Sequence, residues 1–240
     1  PQSVLQTANW IAEADIATLR AKTGMSAARM DLVPIAAQVL RQIVLTFHPK
    51  EIDVSSYGIR EGLLYEQMPQ RLRMRDPLIE ACRHAERTMA RMPGFGKKLY
   101  QFILPIFRNL PEHRLRIVKA ACLLHDTTWR AHPDYRAEAC FDNATRANLG
   151  GLSHAERVYL GLALLHRYKN SRAGSRMAPL FALLDDHQLR EAEVLGKAMR
   201  FGAMFAVRAP EDAGEIIWRQ KKKVLDLRLN AGTQALFGEV

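Results

Sequence analysis

Apolar residues in the first part of the chain recur mostly at the three- and four-residue spacing of an amphipathic helix. This spacing predicts helices over residues 4–21 and 34–47, the first of them ended by Gly24. Residues 51–56 instead alternate polar and apolar side chains, which is typical of a short strand. A tight turn and the start of another helix follow over residues 57–66.

The rest of the chain is also mostly helical in pattern, apart from its last forty or so residues. Prolines and glycines separate predicted helices over residues 78–91, 97–108, 112–124, 135–147, 153–165 and 179–201. Short alternating runs then follow at 203–207, 216–218, 224–229 and 235–240, and they predict a small β-ribbon or meander. Lys221, Lys222 and Lys223 lie between two of these runs, so we expect them on an exposed turn or edge.

The segment from residue 67 to 76 separates the two parts. It contains Pro69 and the alternating arginines Arg71, Arg73 and Arg75, and it is polar and densely charged. Such a segment is the best candidate for a domain boundary in the chain.

The charge of the chain points to a polyanionic partner. Lysine and arginine number 35 against 25 aspartate and glutamate, a formal net charge of +10 over 240 residues. Arginine carries most of the excess, and its planar guanidinium suits phosphate oxygens. We expect no nucleic-acid partner, because neither aromatic stacking residues nor a recognition helix accompanies the lysines at 221–223.

Composition also limits the location of the protein. The sequence has no apolar run long enough to cross a membrane and no signal peptide, so we expect a cytoplasmic protein without a membrane partner. Cys82, Cys122 and Cys140 are few, odd in number and without metal-finger spacing, and we expect them to be reduced core residues. Because the sequence begins at Pro1 without an initiator methionine, we expect a segment of a longer chain.

His125 and Asp126 form the first candidate for chemistry, at the end of an apolar helix. An imidazole and a carboxylate there can share one divalent cation that activates water for phosphoester hydrolysis. Residues 120–126 resemble the central motif of the HD superfamily of metal phosphohydrolases, but further histidine or aspartate ligands are not evident, and Glu138 stands where the pattern would have histidine. His125 and Asp126 are therefore weak metal candidates, and a structural remnant that caps and cross-links helices is the alternative.

Residues 56–65, with the sequence Ser-Tyr-Gly-Ile-Arg-Glu-Gly-Leu-Leu-Tyr, give a more specific resemblance. They closely resemble the segment that closes the second actin-like domain of exopolyphosphatases and guanosine pentaphosphate phosphohydrolases. Residues 29–34 resemble the approach to the same strand, and residues 129–138 resemble the C-terminal half of those enzymes. The resemblance covers nearly the whole chain.

The resemblance implies a mainly α fold in three parts. Residues 1–68 would be the tail of an actin-like (ASKHA) α/β domain. Residues 69–202 would form an HD-like helical domain, and residues 203–240 a small C-terminal β-ribbon element.

The resemblance also implies a function that is shared with residues outside this chain. The glycine-rich phosphate loops, the metal-holding acids and the catalytic glutamate of such enzymes lie in earlier domains, and none of these motifs is found here. We expect no catalytic residue in this chain, and Mg²⁺ to serve only the full enzyme. The implied partners are inorganic polyphosphate or guanosine pentaphosphate, the missing N-terminal actin-like domain and a second copy in a homodimer.

In this family a long polyphosphate passes through a basic channel between the actin-like core and the helical domain. Arg83 and Arg87 are four residues apart and share one helix face. Residues 166–169 resemble an Arg-Tyr-His-Arg segment, with Lys169 in the place of the histidine. The polyphosphate-binding residues implied are Arg71, Arg73, Arg75, Arg83, Arg87, Arg167 and Lys169.

Three functions remain open on the sequence alone. The chain is the distal part of an exopolyphosphatase-like hydrolase that grips its substrate, or it is an autonomous HD-type metal phosphohydrolase that uses His125 and Asp126. The third alternative is a non-catalytic module for polyanion binding or dimerisation. Bound metal would distinguish the second from the others, and complementation by the proximal half would separate the first from the third.

Overall fold

The computed structural model describes residues 1–24, 26, 30–55 and 57–237, and it divides into two compact units. The first unit is Pro1–Glu66 and the second is Gln67–Val240. The division falls at the start of the arginine-rich segment.

The first unit is helical wherever it has regular structure. Its helices are α1 (Gln2–Glu13), α2 (Ile16–Thr23), α3 (Val33–Phe47) and α4 (Ile59–Gln67), the last running one residue past the division. Helices α1 and α3 pack together and bury Ala8 and Ala37. The single helix predicted for residues 4–21 is divided at Asp15, whose carboxylate accepts a hydrogen bond from the Thr18 backbone at 2.8 Å and so begins a new helix.

The predicted strand at residues 51–56 is wrong over residues 51–55, which have no regular secondary structure, while Ser56 lies outside the described residues. A strand needs a partner for its backbone groups. The described part of the first unit contains no other strand to supply one. The alternation of polar and apolar side chains is therefore not sufficient to form a strand at residues 51–55.

The second unit contains most of the helices and the one sheet of the described residues. The helices are α5 (Gln70–Arg73), α6 (Pro77–Met89), α7 (Phe95–Phe107), α8 (Glu112–Leu124), α9 (Pro133–Arg146), α10 (His154–His166), α11 (Asp186–Phe205), α12 (Pro210–Ala213) and α13 (Ala231–Phe237). Two 3₁₀ turns, Ala178–Leu183 and Gln220–Lys222, and the strands β1 (Gly214–Arg219) and β2 (Val224–Leu229) complete it.

Side-chain caps fix where several of these helices begin. The Asp76 carboxylate accepts from the Leu78 and Ile79 backbones ahead of α6, with Pro77 at the first helical position. Ser153 opens α10 with a capping box, since its hydroxyl and the Glu156 carboxylate each accept from the other residue's backbone. The predicted helix 179–201 begins only at Asp186, and the residues before it form a 3₁₀ turn.

Helices α8 and α10 form the centre of the second unit. Residues 158–166 are buried without interruption, and residues 117–126 are buried except for the half-buried Lys119. Both segments must therefore be surrounded by other helices. Helices α6 and α7 pack against α8, while α9 and α11 pack against α10. Cys82, Cys122 and Cys140 are buried and free, which confirms the prediction of reduced core cysteines.

The C-terminal ribbon pairs β1 with β2 in antiparallel register, with Trp218 opposite Leu225. Lys221, Lys222 and Lys223 are exposed on its turn, as predicted, and Lys223 has a left-handed backbone with φ of 51°. The strand predicted at 203–207 is wrong, because α11 continues to Phe205, whose ring stacks on Phe102 at 5.4 Å. The run at 235–240 is helical to residue 237, and its last three residues lie outside the described part.

The fold is thus mainly α with a small C-terminal β-ribbon, which confirms the predicted class. Among the described residues no helix combines the length and apolar character that a membrane span requires.

Candidate functional site

His125 and Asp126 directly follow helix α8 and are buried, at 5% and 4% exposure. The His125 Nδ1 lies 2.9 Å from the Cys122 carbonyl oxygen, and its ring packs on Phe95 with centroids 5.3 Å apart. Burial, helped by the nearby Arg167 guanidinium, lowers the pKa of His125 to about 4. The imidazole is therefore neutral at pH 7.

Arg91 forms a bidentate ion pair with the carboxylate of Asp126. Its Nη2 lies 2.6 Å from Oδ1 and its Nε 2.9 Å from Oδ2, and the Arg91 backbone also donates to Oδ2 at 3.3 Å. Burial alone would raise the pKa of Asp126, but the hydrogen bonds from Arg91 outweigh it and lower that pKa. The Asp126 carboxylate is thus ionised, and both of its oxygens already accept hydrogen bonds from the Arg91 guanidinium.

Aromatic rings support the basic side chains around this ion pair. Trp129 donates from Nε1 to the Met89 carbonyl at 3.0 Å, and its ring lies 5.7 Å from the Arg91 guanidinium carbon and 4.6 Å from that of Arg130. The Trp129 contact therefore ties the end of α6 to the loop after α8. Cation–π contacts of this kind hold arginines in place without neutralising them.

Tyr168 forms a second support just after helix α10. Its hydroxyl donates to the His125 carbonyl at 2.9 Å. Its ring centroid lies 4.8 Å from the Arg167 guanidinium carbon and 5.6 Å from that of Arg136. Burial raises the pKa of Tyr168 to about 12, so the hydroxyl remains a donor. Elements α8, α9 and α10 thus converge at one basic site.

The donor set of this site does not fit a metal ion. Asp126 is occupied by Arg91, and the His125 Nδ1 faces a backbone carbonyl. Glu138, which stands where a ligand histidine was sought, pairs with Arg176 at 3.3 Å. Within the part of the chain that the structure describes, no three histidine, cysteine, aspartate or glutamate side chains are grouped to hold a cation.

We expect no divalent ion to remain bound at His125 and Asp126, because too few ligands converge to offset dehydration of the ion. Elemental analysis after dialysis should find less than stoichiometric zinc, iron or manganese. His125→Ala should lower stability modestly through lost packing and hydrogen bonding. It should leave turnover unchanged in an enzyme reconstituted with the proximal half. A stoichiometric transition metal would contradict this expectation.

The arginines predicted from the sequence form two groups in the structure. Arg75 and Arg83 both pair with Glu80, at 3.3 Å and 2.5 Å, and Arg87 contacts the His84 ring at 3.3 Å. Arg71 and Arg73 are exposed on the short helix α5. This first group therefore lines α5 and α6.

Arg167 and Lys169 form the second group, at the end of α10. Arg167 lies against Tyr168 close to the His125–Asp126 doublet, and the Lys169 carbonyl contacts the His166 ring at 3.2 Å. The C-terminal end of α6, which carries Arg87 in its last turn, reaches the same site through the Met89 carbonyl. Their role in binding polyphosphate stays a prediction.

Sequence reasoning did not identify Arg91 and Arg136 as site residues. Arg91 is 35 residues from Asp126 in the chain, and only the packing of α6 on α8 brings them together. Arg136 lies within residues 129–138, which carry the family resemblance, but nothing in that pattern distinguished it from an exposed helix residue.

Helix α8 thus ends in a buried His-Asp doublet within a bundle of helices. Residues 82–240 match the family described as "Exopolyphosphatase, C-terminal". The chain belongs to that family, and the resemblance inferred from its motifs is confirmed.

A curated relative is also similar over part of the chain. The sequence is 32% identical over 129 residues to Retrograde regulation protein 2 of Saccharomyces cerevisiae. The alignment covers 50% of this chain and 20% of the yeast protein, so this chain spans about a fifth of the length of the relative it matches.

Proposed function

We propose that this chain is the C-terminal part of an exopolyphosphatase-type hydrolase of phosphoric anhydrides and that it holds the phosphate chain of the substrate. The catalytic loops lie outside it, so that this segment alone does not turn over substrate. The observation that carries the proposal is the basic site after α8, where Arg91 takes both oxygens of Asp126 and further arginines surround the doublet.

The chemistry of the site favours this proposal over an autonomous metal phosphohydrolase. A metal enzyme needs open positions on a cation, whereas Asp126 here contacts a guanidinium. Guanidinium groups bind phosphate oxygens through paired, charge-assisted hydrogen bonds. The overall charge of +10 adds attraction for a long polyanion.

Several finer features belong to the same proposal. We favour inorganic polyphosphate as the ligand, with guanosine pentaphosphate as the alternative, since both present consecutive phosphates. A proximal actin-like domain, a homodimer and Mg²⁺ in the full enzyme are also part of the proposal, and they rest on the family resemblance alone. A cytoplasmic location agrees with three free, buried cysteines.

Replacing Arg83 and Arg87 together with glutamine tests the part of the proposal that concerns helix α6. Glutamine keeps helix propensity but removes charge, and polyphosphate affinity should fall about tenfold or more. The slope of log affinity against log salt should also become shallower, by roughly 1.5 to 2 for the two lost charges. Fluorescence anisotropy with labelled polyphosphate at several salt concentrations measures both quantities.

The matched control removes two charges elsewhere. Lys221→Gln with Lys222→Gln alters an exposed turn of the ribbon and should change affinity and salt slope much less. Equal effects of the two double variants would mean that only net charge matters. In that case the assignment of α6 to the phosphate path is wrong.

A further inference from the structure

Arg167 is a largely buried arginine without a direct counter-ion. Burial lowers its pKa, and the nearby Tyr168 and Asp126 oppose this change only in part. Within the described residues no carboxylate reaches its guanidinium, and its Nε is buried without a hydrogen-bond partner. Leaving a charge unpaired in such surroundings is costly, so an anion that contacts this guanidinium would be stabilised there.

The surroundings of Arg167 carry an excess of positive charge. Arg91, Arg136 and Arg167 all lie near Tyr168, and the nearby carboxylate is that of Asp126. That carboxylate is committed to Arg91. His125 adds no charge at neutral pH, because its pKa is about 4. Two guanidinium charges therefore remain without a partner of opposite sign.

The guanidinium groups that carry the excess positive charge are held in fixed positions, as a binding site for an anion requires. Tyr168 is anchored by its hydrogen bond to the His125 carbonyl, and its ring holds Arg167 and Arg136 by cation–π contacts. Arg136 donates from Nε and from Nη2 to the Ala131 carbonyl, and these two hydrogen bonds fix the plane of its guanidinium group. The site is open to solvent, because the side chain of Arg91 is 54% exposed.

We propose that Arg136 and Arg167, positioned by Tyr168, bind one phosphate group of a phosphate chain in the place where an HD enzyme would hold its metal. Two uncompensated guanidinium groups match the two negative charges of a terminal phosphate. The Arg91–Asp126 pair closes one side of this site and keeps the carboxylate away from the ligand. The choice of a phosphate chain rests on the proposed function, while the anion site itself rests on the geometry.

Arg167→Gln in the full 240-residue chain tests the proposal, with sodium tripolyphosphate as the probe and titration calorimetry as the measurement. Tripolyphosphate affinity should fall about tenfold or more, since one paired, charge-assisted contact is lost. Arg167→Lys should recover only part of the affinity, because lysine keeps the charge but loses the planar fork. The matched control, Arg146→Gln, removes one exposed charge from α9 and should have little effect.

A stability measurement separates ligand binding from a structural role. Without phosphate, Arg167→Gln should be as stable as the parent chain or more stable, because it removes an uncompensated buried charge. Tripolyphosphate should then raise the melting temperature of the parent chain but not that of the variant. Arg136→Gln, on a half-buried side chain, provides a second test if Arg167→Gln does not fold.

The outcomes distinguish this inference from the proposed function. If tripolyphosphate and long polyphosphate both fail to bind the parent chain at low salt, both proposals are wrong. If Arg83→Gln with Arg87→Gln weakens binding while Arg167→Gln and Arg136→Gln do not, the function stands and the phosphate site after α8 is wrong. A loss of tripolyphosphate affinity that is confined to the Arg167 and Arg136 variants supports the phosphate site after α8.

Discussion

Glu191→Ala should destabilise the second unit by about 3–5 kcal/mol, the range for removing one partner of a buried ion pair. The Glu191 Oε1 accepts from Arg114 Nη2 and from the Tyr159 hydroxyl, both at 2.7 Å, and so links α8, α10 and α11. The side chains of Arg114 and Glu191 are only 15% and 11% exposed. Without the carboxylate, a guanidinium and a phenol would be left buried near each other.

Urea unfolding followed by circular dichroism measures this loss, and Glu193→Ala provides the control on the same helix. Glu193 pairs with Lys197 at 2.6 Å, but on an exposed face where such pairs contribute about 1 kcal/mol or less. Burial and the adjacent Glu191 raise the pKa of Tyr159 well above its usual range, so the phenol stays a donor throughout the assay. Similar losses for the two variants would show that the buried triad does not stabilise the bundle.

Gly96→Ala is the second substitution with a large expected cost, roughly 2–3 kcal/mol, as for an overpacked core. A Cβ at Gly96 would lie 2.6 Å from the Cys122 carbonyl oxygen and 2.7 Å from the Leu123 Cα, so α7 and α8 would have to separate. It would also approach the Glu86 carboxylate, which accepts from the Gly94 and Gly96 backbones at 3.1 Å and 2.7 Å.

The expected effect of Gly96→Ala extends to binding, because α8 carries the His125–Asp126 doublet at its end. Chemical denaturation should therefore show a lower free energy of unfolding, and polyphosphate titration should show a lower affinity. Gly62→Ala in α4 is the control, since a Cβ there would meet no atom within 4 Å beyond its own helix backbone and chain neighbours. This change should be neutral or slightly stabilising. A Gly96 variant as stable as the Gly62 variant would contradict the close helix contact.

The sequence predicted helices well where their apolar positions face one core. Helix α8 was predicted with its observed bounds because Pro111 precedes its first residue and the apolar run 120–124 ends at its last. The failures concern short runs. Residues 51–55 alternate like a strand but have no partner strand in the described part of their unit, and residues 203–205 continue a helix whose Phe205 stacks on Phe102. Tertiary contacts decide such segments, and a local pattern does not contain them.

The candidate site was predicted only in part for the same reason. The His125–Asp126 doublet and Arg167 were evident from motifs, whereas the ion pair of Asp126 with Arg91 depends on how α6 packs against α8. The sequence could show that ligands for a metal were missing. It could not show that a guanidinium contacts the carboxylate instead, because no local spacing encodes a contact across 35 residues.

The central claim is that this chain grips a phosphate chain and does not hydrolyse it by itself. Titration of the intact 240-residue chain with polyphosphate of defined length, at low and at moderate salt, tests it most directly when released orthophosphate is measured in the same samples. We predict binding that weakens steeply with salt, as expected for several arginine–phosphate contacts, and no release of orthophosphate. Absence of binding at low salt, or steady release of orthophosphate by the chain alone, would contradict the claim.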